Sequence, residues 1–184
     1  MPQFAKKGYP GVSMRDLAKS VNIGVSAIYH HFPDKKTLYL EAIKQAFSNK
    51  ALAFTEVWQS ESSAESKLRS FVVCLIEMML ADENFNRLIQ RELLDADEVR
   101  MKLLAEGVFK KQFSELMKLV NQLVPDKDAH LTAVSVLGVV RYHLEIQPLR
   151  KFLPGHKSEH ENPEMIANHV VDLLLNGLKV NGEK

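Results

Sequence analysis

Three observations predict an all-α protein. Apolar residues recur at steps of three and four along most of the 184 residues, the spacing that lines one helix face. No stretch alternates apolar and polar residues over the length of a half-buried strand. Only eight glycines and seven prolines interrupt the chain, so long helices are allowed.

The early elements are short and well punctuated. Gly8-Tyr9-Pro10-Gly11 reads as a turn. Ser13 caps a short helix, and Asp16 three residues on completes a variant of the capping box. That helix buries Met14 or Leu17 with Ala18 and ends near Ser20. Val21-Asn22-Ile23-Gly24 is a tight turn, with Asn22 suited to the left-handed backbone region. A second short helix runs from Val25 to Phe32 and stops at Pro33-Asp34; Asp34 caps a third helix that begins at Lys35. Two short helices joined by a tight turn form a helix-turn-helix.

The later elements are longer. Leu68, Phe71, Val72, Leu75, Ile76, Met79 and Leu80 form one broad apolar stripe. A second long helix carries Leu103, Leu104, Phe109, Phe113, Leu116, Met117, Val120 and Leu123 and is stopped by Pro125. Asp126 or Asp128 caps the next, which runs through Leu131, Val134, Leu137, Val140, Tyr142 and Leu144 towards Pro148. Residues 154–163 are polar and read as a loop. Asn162 then caps a last helix that opens on Pro163 and shows Ile166, Val170, Leu173 and Leu174.

Charge separates the two parts of the chain. Residues 1–50 hold eight Lys and Arg against three Asp and Glu, whereas the rest holds sixteen against twenty. A basic head on an acidic body suits a nucleic-acid reader, because phosphate attraction supplies most non-specific affinity. Other classes find little support. There is no His-Glu-x-x-His motif, no phosphate-cradling glycine loop and no Gly-x-Ser-x-Gly elbow, so an enzyme is not expected. His156 and His160 are four apart but lie in the polar loop, and neither a metal nor a cofactor is expected. The single Cys74 falls in an apolar helix, reads as an inert buried thiol, and fits a reducing compartment. No run approaches the roughly 18 apolar residues of a membrane span, and the first residues lack a secretion-signal layout, so a cytoplasmic protein is expected.

Gly8-Tyr9, Ser13-Met14-Arg15-Asp16-Leu17-Ala18, the run from Ala27 to Lys35, and Leu38 together resemble the signature of the TetR (tetracycline-repressor) family. The resemblance covers about the first 46 residues. It implies a helix-turn-helix DNA-binding domain over residues 1–46 and a helical ligand-binding and dimerisation bundle over residues 47–184. Asn22 stands where the family often has Gly, and Gly24 where it often has Ser or Thr. Only residues 3–7 represent the family's first helix, which is expected to be truncated. The function implied is a ligand-responsive transcriptional repressor, a homodimer released from double-stranded operator DNA by a small molecule. The alternative is a ligand-binding helical dimer whose DNA binding is weakened or lost through the short first helix.

By the same resemblance the helix from Val25 enters the major groove. Val25, Ser26 and His30 are candidates for base-edge contacts, and Tyr29 matches the family's phosphate-binding aromatic. Ser13 and Lys35 lie at helix starts, where amide groups also favour phosphate. Ile28 and Phe32 are expected in the core. Pairing of the last two helices through Leu137, Val140, Leu144, Ile166, Val170, Leu173 and Leu174 would form the dimer. Phe54, Trp58, Phe71, Met78, Phe109 and Phe113 suit a hydrophobic or aromatic effector, with Tyr142 and His143 as polar contacts; all six apolar residues also suit an ordinary core.

Overall fold

In the computed structural model the described residues are 2–178, apart from the side chains of residues 49, 50 and 178. Every regular element among them is helical. Helix α1 (Pro2–Lys7) buries Phe4 and Ala5 and ends at Gly8, which takes φ +73° and donates its N–H to the Phe4 carbonyl at 2.8 Å. Helices α2 (Met14–Ser20) and α3 (Val25–His31) follow. Ser13 caps α2 with the reciprocal Asp16 bond expected of a capping box. Asn22 takes φ 56° in the turn between them, the left-handed geometry anticipated for it.

Helix α4 (Lys35–Gln59) starts at Asp34, whose carboxylate accepts from the Thr37 N–H at 2.7 Å. Helices α5 (Ala64–Ala81), α6 (Glu83–Asp95) and α7 (Glu98–Leu104) come next. Asp82 and Asp97 cap α6 and α7 by accepting from the N–H groups of Phe85 and Arg100. A π turn (Ala105–Phe109) then leads into α8 (Lys110–Leu123). One continuous α-helix was the expectation for residues 103–123. The π turn over Ala105–Phe109 interrupts it instead.

Helix α9 (Ala129–Glu145) is capped by Asp128, and the short α10 (Gln147–Arg150) follows it directly. The polar loop contains a 3-10 turn (Ser158–Glu161), and α11 (Pro163–Leu178) begins where Asn162 accepts from the Met165 N–H at 3.1 Å.

Two compact units divide the chain: Met1–Ala51 with Asp82–Lys110, and Leu52–Ala81 with Lys111–Lys184. In the first, Phe4, Tyr39, Ile43, Phe47, Phe85 and Leu88 are buried. Phe47 lies edge-on to Phe109, with ring centroids 5.3 Å apart. In the second, the end of α4 shares one core with α5, α8, α9 and α11 that includes Phe54, Phe71, Ile76, Leu116, Val136 and Val170. The α5 stripe is buried from Leu68 to Ile76, while Leu80 at its end is exposed. No described helix is long and apolar enough to cross a membrane.

Candidate nucleic-acid interface

The helix-turn-helix head formed by α2 and α3 is built on a small core. Met14, Ala18 and Ile28 are buried together, and Leu17, Val25, Phe32 and Leu38 pack on them. Ile28 and Phe32 thus anchor α3 at both its middle and its end. The turn is tied down by the Ile23 N–H, which donates to the Ala18 carbonyl at 3.0 Å. With that face inward, α3 presents Ser26, Ala27, Tyr29, His30 and His31 to solvent. Tyr29 is 51% exposed, and the two imidazoles lie edge to face with centroids 5.2 Å apart.

Val25 was expected on that outward side. It is half-buried against the head core instead, because it lies three residues before Ile28 and shares its face. Ala27 is the outward residue that sequence reasoning passed over. Its signal was present: helical spacing puts Ala27 beside His30, three residues on.

Ser13 and Lys35 sit at the starts of α2 and α4, and both are engaged. The Ser13 hydroxyl donates to the Asp16 carboxylate at 2.6 Å and accepts from the Asp16 N–H at 3.1 Å. The hydroxyl bond first, and then the Ser13 N–H, which donates to the same carboxylate at 3.0 Å, hold the Asp16 carboxyl below its ordinary range. The Lys35 ammonium donates to the carbonyls of Tyr9 and Val12, both at 2.9 Å, and lies 4.3 Å from the Tyr9 ring centroid. It therefore stitches the loop after α1 to the start of α4.

A buried polar network, not singled out from the sequence, holds the same unit together. Glu92 of α6 is 1% exposed. It accepts from the Tyr39 hydroxyl at 2.5 Å and from Arg100 Nε at 2.8 Å. Arg100 also reaches Asp95 and Asp97 and stacks its guanidinium 4.6 Å from the Tyr9 ring, so Tyr9 lies against two cations. Burial, and then the Glu92 acceptor, push the Tyr39 phenol well above its ordinary pKa. Arg91 donates to the carbonyls of Ala5 and Lys6 at the end of α1, at 3.0 and 3.1 Å. These are the last carbonyls of a helix, which otherwise lack donors.

In the second unit the residues assigned to effector binding are dispersed. Phe54 and Phe71 are buried in the core, 5.3 Å apart, and Trp58 packs on Phe71 while its Nε1 donates to Gln112 at 2.6 Å. Met78 and Phe113 pack at the core edge, and Tyr142 is exposed. Phe109 belongs to the other unit. An open groove of about 340 Å³ lies instead along Ala53, Arg69, Ser70, Val73, Cys74, Glu77, Glu164 and Asn168. Burial first, then the charges of Glu77 and Glu56, push the Cys74 thiol up to about 11, so it is not a thiolate near neutral pH. Among the described residues no group of three or more His, Cys, Asp or Glu stands where it can hold a metal.

Of the residues assigned to pairing, Val140, Ile166, Val170 and Leu174 are buried within the protomer's own core. Helices α9 and α11 use that stripe on α5. Leu173 is 53% exposed, Leu137 and Leu144 are half-buried, and Leu131, Val134, Tyr142 and Met165 add to the outward apolar surface of α9 and α11.

His143 of α9 meets His169 of α11 edge to face, with centroids 5.7 Å apart, and Arg150 of α10 donates to its carbonyl. Burial first, then the charges of His169 and Arg150, lower its pKa below the ordinary 6.5. A depressed histidine pKa means that the folded state favours the neutral ring. Its stabilising contribution is therefore complete above about pH 6.5 and is lost as the pH falls below that value. Thermal melts from pH 7.5 down to about pH 5 should show a steeper loss for the wild type than for His143→Gln. Parallel curves would remove His143 from that dependence.

Residues 1–42 match the model of "Bacterial regulatory proteins, tetR family", and residues 64–178 match "HTH-type transcriptional dual regulator CecR, C-terminal domain". The biofilm operon icaADBC HTH-type negative transcriptional regulator IcaR of Staphylococcus aureus (strain N315) is 46% identical over 44 residues, 24% of each chain. IcaR of Staphylococcus epidermidis is 36% identical over 45 residues, again 24% of each. The match thus spans about a quarter of the length of these curated relatives.

Among solved structures, the transcriptional regulator FadR from Bacillus subtilis in complex with stearoyl-CoA superposes with a TM-score of 0.77 at 16% identity, covering 95% of this chain and 93% of that one. The TetR family regulator PfmR from Thermus thermophilus gives 0.66 at 22% identity, covering 96% and 94%. At these identities the likeness is one of fold.

Proposed function

The chain belongs to the TetR family of bacterial regulatory proteins, and on that premise we propose that it is a cytoplasmic repressor that binds operator DNA as a homodimer and is released by a small-molecule effector. The observation that carries this reading is the outward face of α3. Ser26, Ala27, Tyr29 and His30 stand free on a short helix whose other face is locked into the head core. That helix lies in a segment with eight basic and three acidic residues, which supplies the attraction to phosphate.

Tyr29 bonds a phosphate oxygen, while Ser26 and His30 reach base edges. Lys35 acts as a positioning residue, since its bonds to Tyr9 and Val12 fix the start of α4 relative to α2. Two copies pair through the outward surfaces of α9 and α11, with Leu173 near the centre, and set the spacing of the two reading heads. The effector is apolar in its main part. The core-edge residues Trp58, Met78 and Phe113, and the stearoyl-CoA named for the Bacillus subtilis FadR, support that class. The effector acts only through its differential affinity for the DNA-binding and released arrangements.

Fluorescence anisotropy with the DNA upstream of the protein's own coding region, across a salt series, tests the reading. Affinity should fall steeply and linearly on a log–log plot. Tyr29→Ala should weaken it about tenfold by removing a phosphate bond. In the same series Leu173→Glu should give monomers on sizing and lose the operator complex, and added stearoyl-CoA serves as the first effector probe. Intact dimers with no salt-sensitive DNA binding would instead favour a ligand-binding dimer.

A further inference from the structure

The outward face of α3 is unusual in what it lacks. The helix Val25–His31 contains no Arg, Lys, Asn or Gln, the side chains that make bidentate bonds to guanine or adenine in the major groove. What it does present is one hydroxyl, one methyl group, one phenol and two imidazoles, from Ser26, Ala27, Tyr29, His30 and His31. Val25, the larger apolar residue, is withdrawn by its packing on Met14, Ala18 and Ile28. Ala27 is therefore the apolar group on α3 that faces outward, beside His30 three residues after it.

Only one apolar feature of the major groove distinguishes a base pair by direct contact: the C5-methyl group of thymine. A short side chain also lets the helix backbone approach the groove floor closely. From this composition and exposure we infer that Ala27 is a specificity-determining residue that reads a thymine methyl group, so each operator half-site carries an invariant thymine opposite α3. The inference rests on the DNA-binding reading above. It assigns sequence selection to methyl contact, with Ser26 and His30 adding single hydrogen bonds, and leaves Tyr29 to hold the helix on the backbone.

The test is in vitro selection of bound duplexes from a random double-stranded pool, followed by substitution of deoxyuridine for each thymine of the selected duplex. Deoxyuridine keeps base pairing and removes only the methyl group. Loss of one buried methyl contact is expected to weaken wild-type binding about three- to fivefold at one thymine per half-site. The same thymine-to-uracil ratio should fall to about one in Ala27→Gly, which removes the contacting carbon, and below the wild-type ratio in Ala27→Ser, which keeps Cβ but adds a hydroxyl. Ala27→Ser keeps helix propensity near that of other polar residues, and taking the ratio within each variant cancels any general loss of head stability. A ratio unchanged by either substitution overturns the inference while leaving DNA binding in place. Selected duplexes with no recurring thymine overturn it as well. A pool from which no duplex is enriched by the wild-type dimer overturns the DNA-binding reading itself, and the inference with it.

Discussion

Arg100→Ala is expected to lower stability by about 3–5 kcal/mol, because it leaves the carboxylate of Glu92 buried without its cation. Glu92 is 1% exposed, so water cannot replace the guanidinium without opening the packing of α6 on the head. The same substitution strips one cation from the Tyr9 ring and frees Asp95 and Asp97. For a chain of this size the loss corresponds to a fall in Tm of roughly 6–20 °C. Thermal and urea melts followed by helical circular dichroism measure it directly.

A paired variant separates charge burial from simple loss of packing. Arg100→Met with Glu92→Gln keeps the volume and an acceptor for the Tyr39 hydroxyl, and should recover most of the stability. A cost below about 1 kcal/mol for Arg100→Ala would show that Glu92 is compensated in some other way.

Ile28→Asp should abolish operator binding, with a loss of about a hundredfold or more, while the second unit keeps its fold. Ile28 is one of three buried side chains in the head core and the only one of those three that α3 contributes. Removing a buried aliphatic group costs about 2–5 kcal/mol, and placing an unpaired carboxylate there adds a desolvation penalty. A loss of about 2.7 kcal/mol in the competent head is already a hundredfold in affinity. Anisotropy on the selected operator reads the loss, and sizing should report the same oligomeric state as the wild type because the second unit is untouched. Ile28→Val, which removes one methylene, should stay within about tenfold of wild type. Operator binding that survives Ile28→Asp would mean that α3 is not the element that reads DNA.

Much of this was legible in the residues because the interactions concerned are local. Ser13 with Asp16, Asp34 with Thr37, Asp128 with Leu131 and Asn162 with Met165 each close a loop of three residues, so cap and helix start can be read together. Asn22 in the left-handed region is equally local. From these and the three-and-four spacing come the all-α class, the helix-turn-helix and the order of the long helices. Helix α6 was harder to see, because its inward side uses Phe85, Leu88 and the charged Glu92 rather than a continuous apolar stripe.

Tertiary structure decided what spacing leaves open. Periodicity gives the interval between apolar residues on a helix but not which neighbour that face meets. Hence Val25 turns inward and Ala27 outward, and the stripe through Val140 and Val170 is buried inside the protomer, leaving Leu173 exposed. The polar network needed the fold for the same reason. Tyr39 and Glu92 are 53 residues apart, and Arg91 and Ala5 are 86 apart. Charged side chains at such separations carry no local signal. What pairs them is the burial imposed when α6 and α7 close over the head, where an unpaired charge would be too costly to keep.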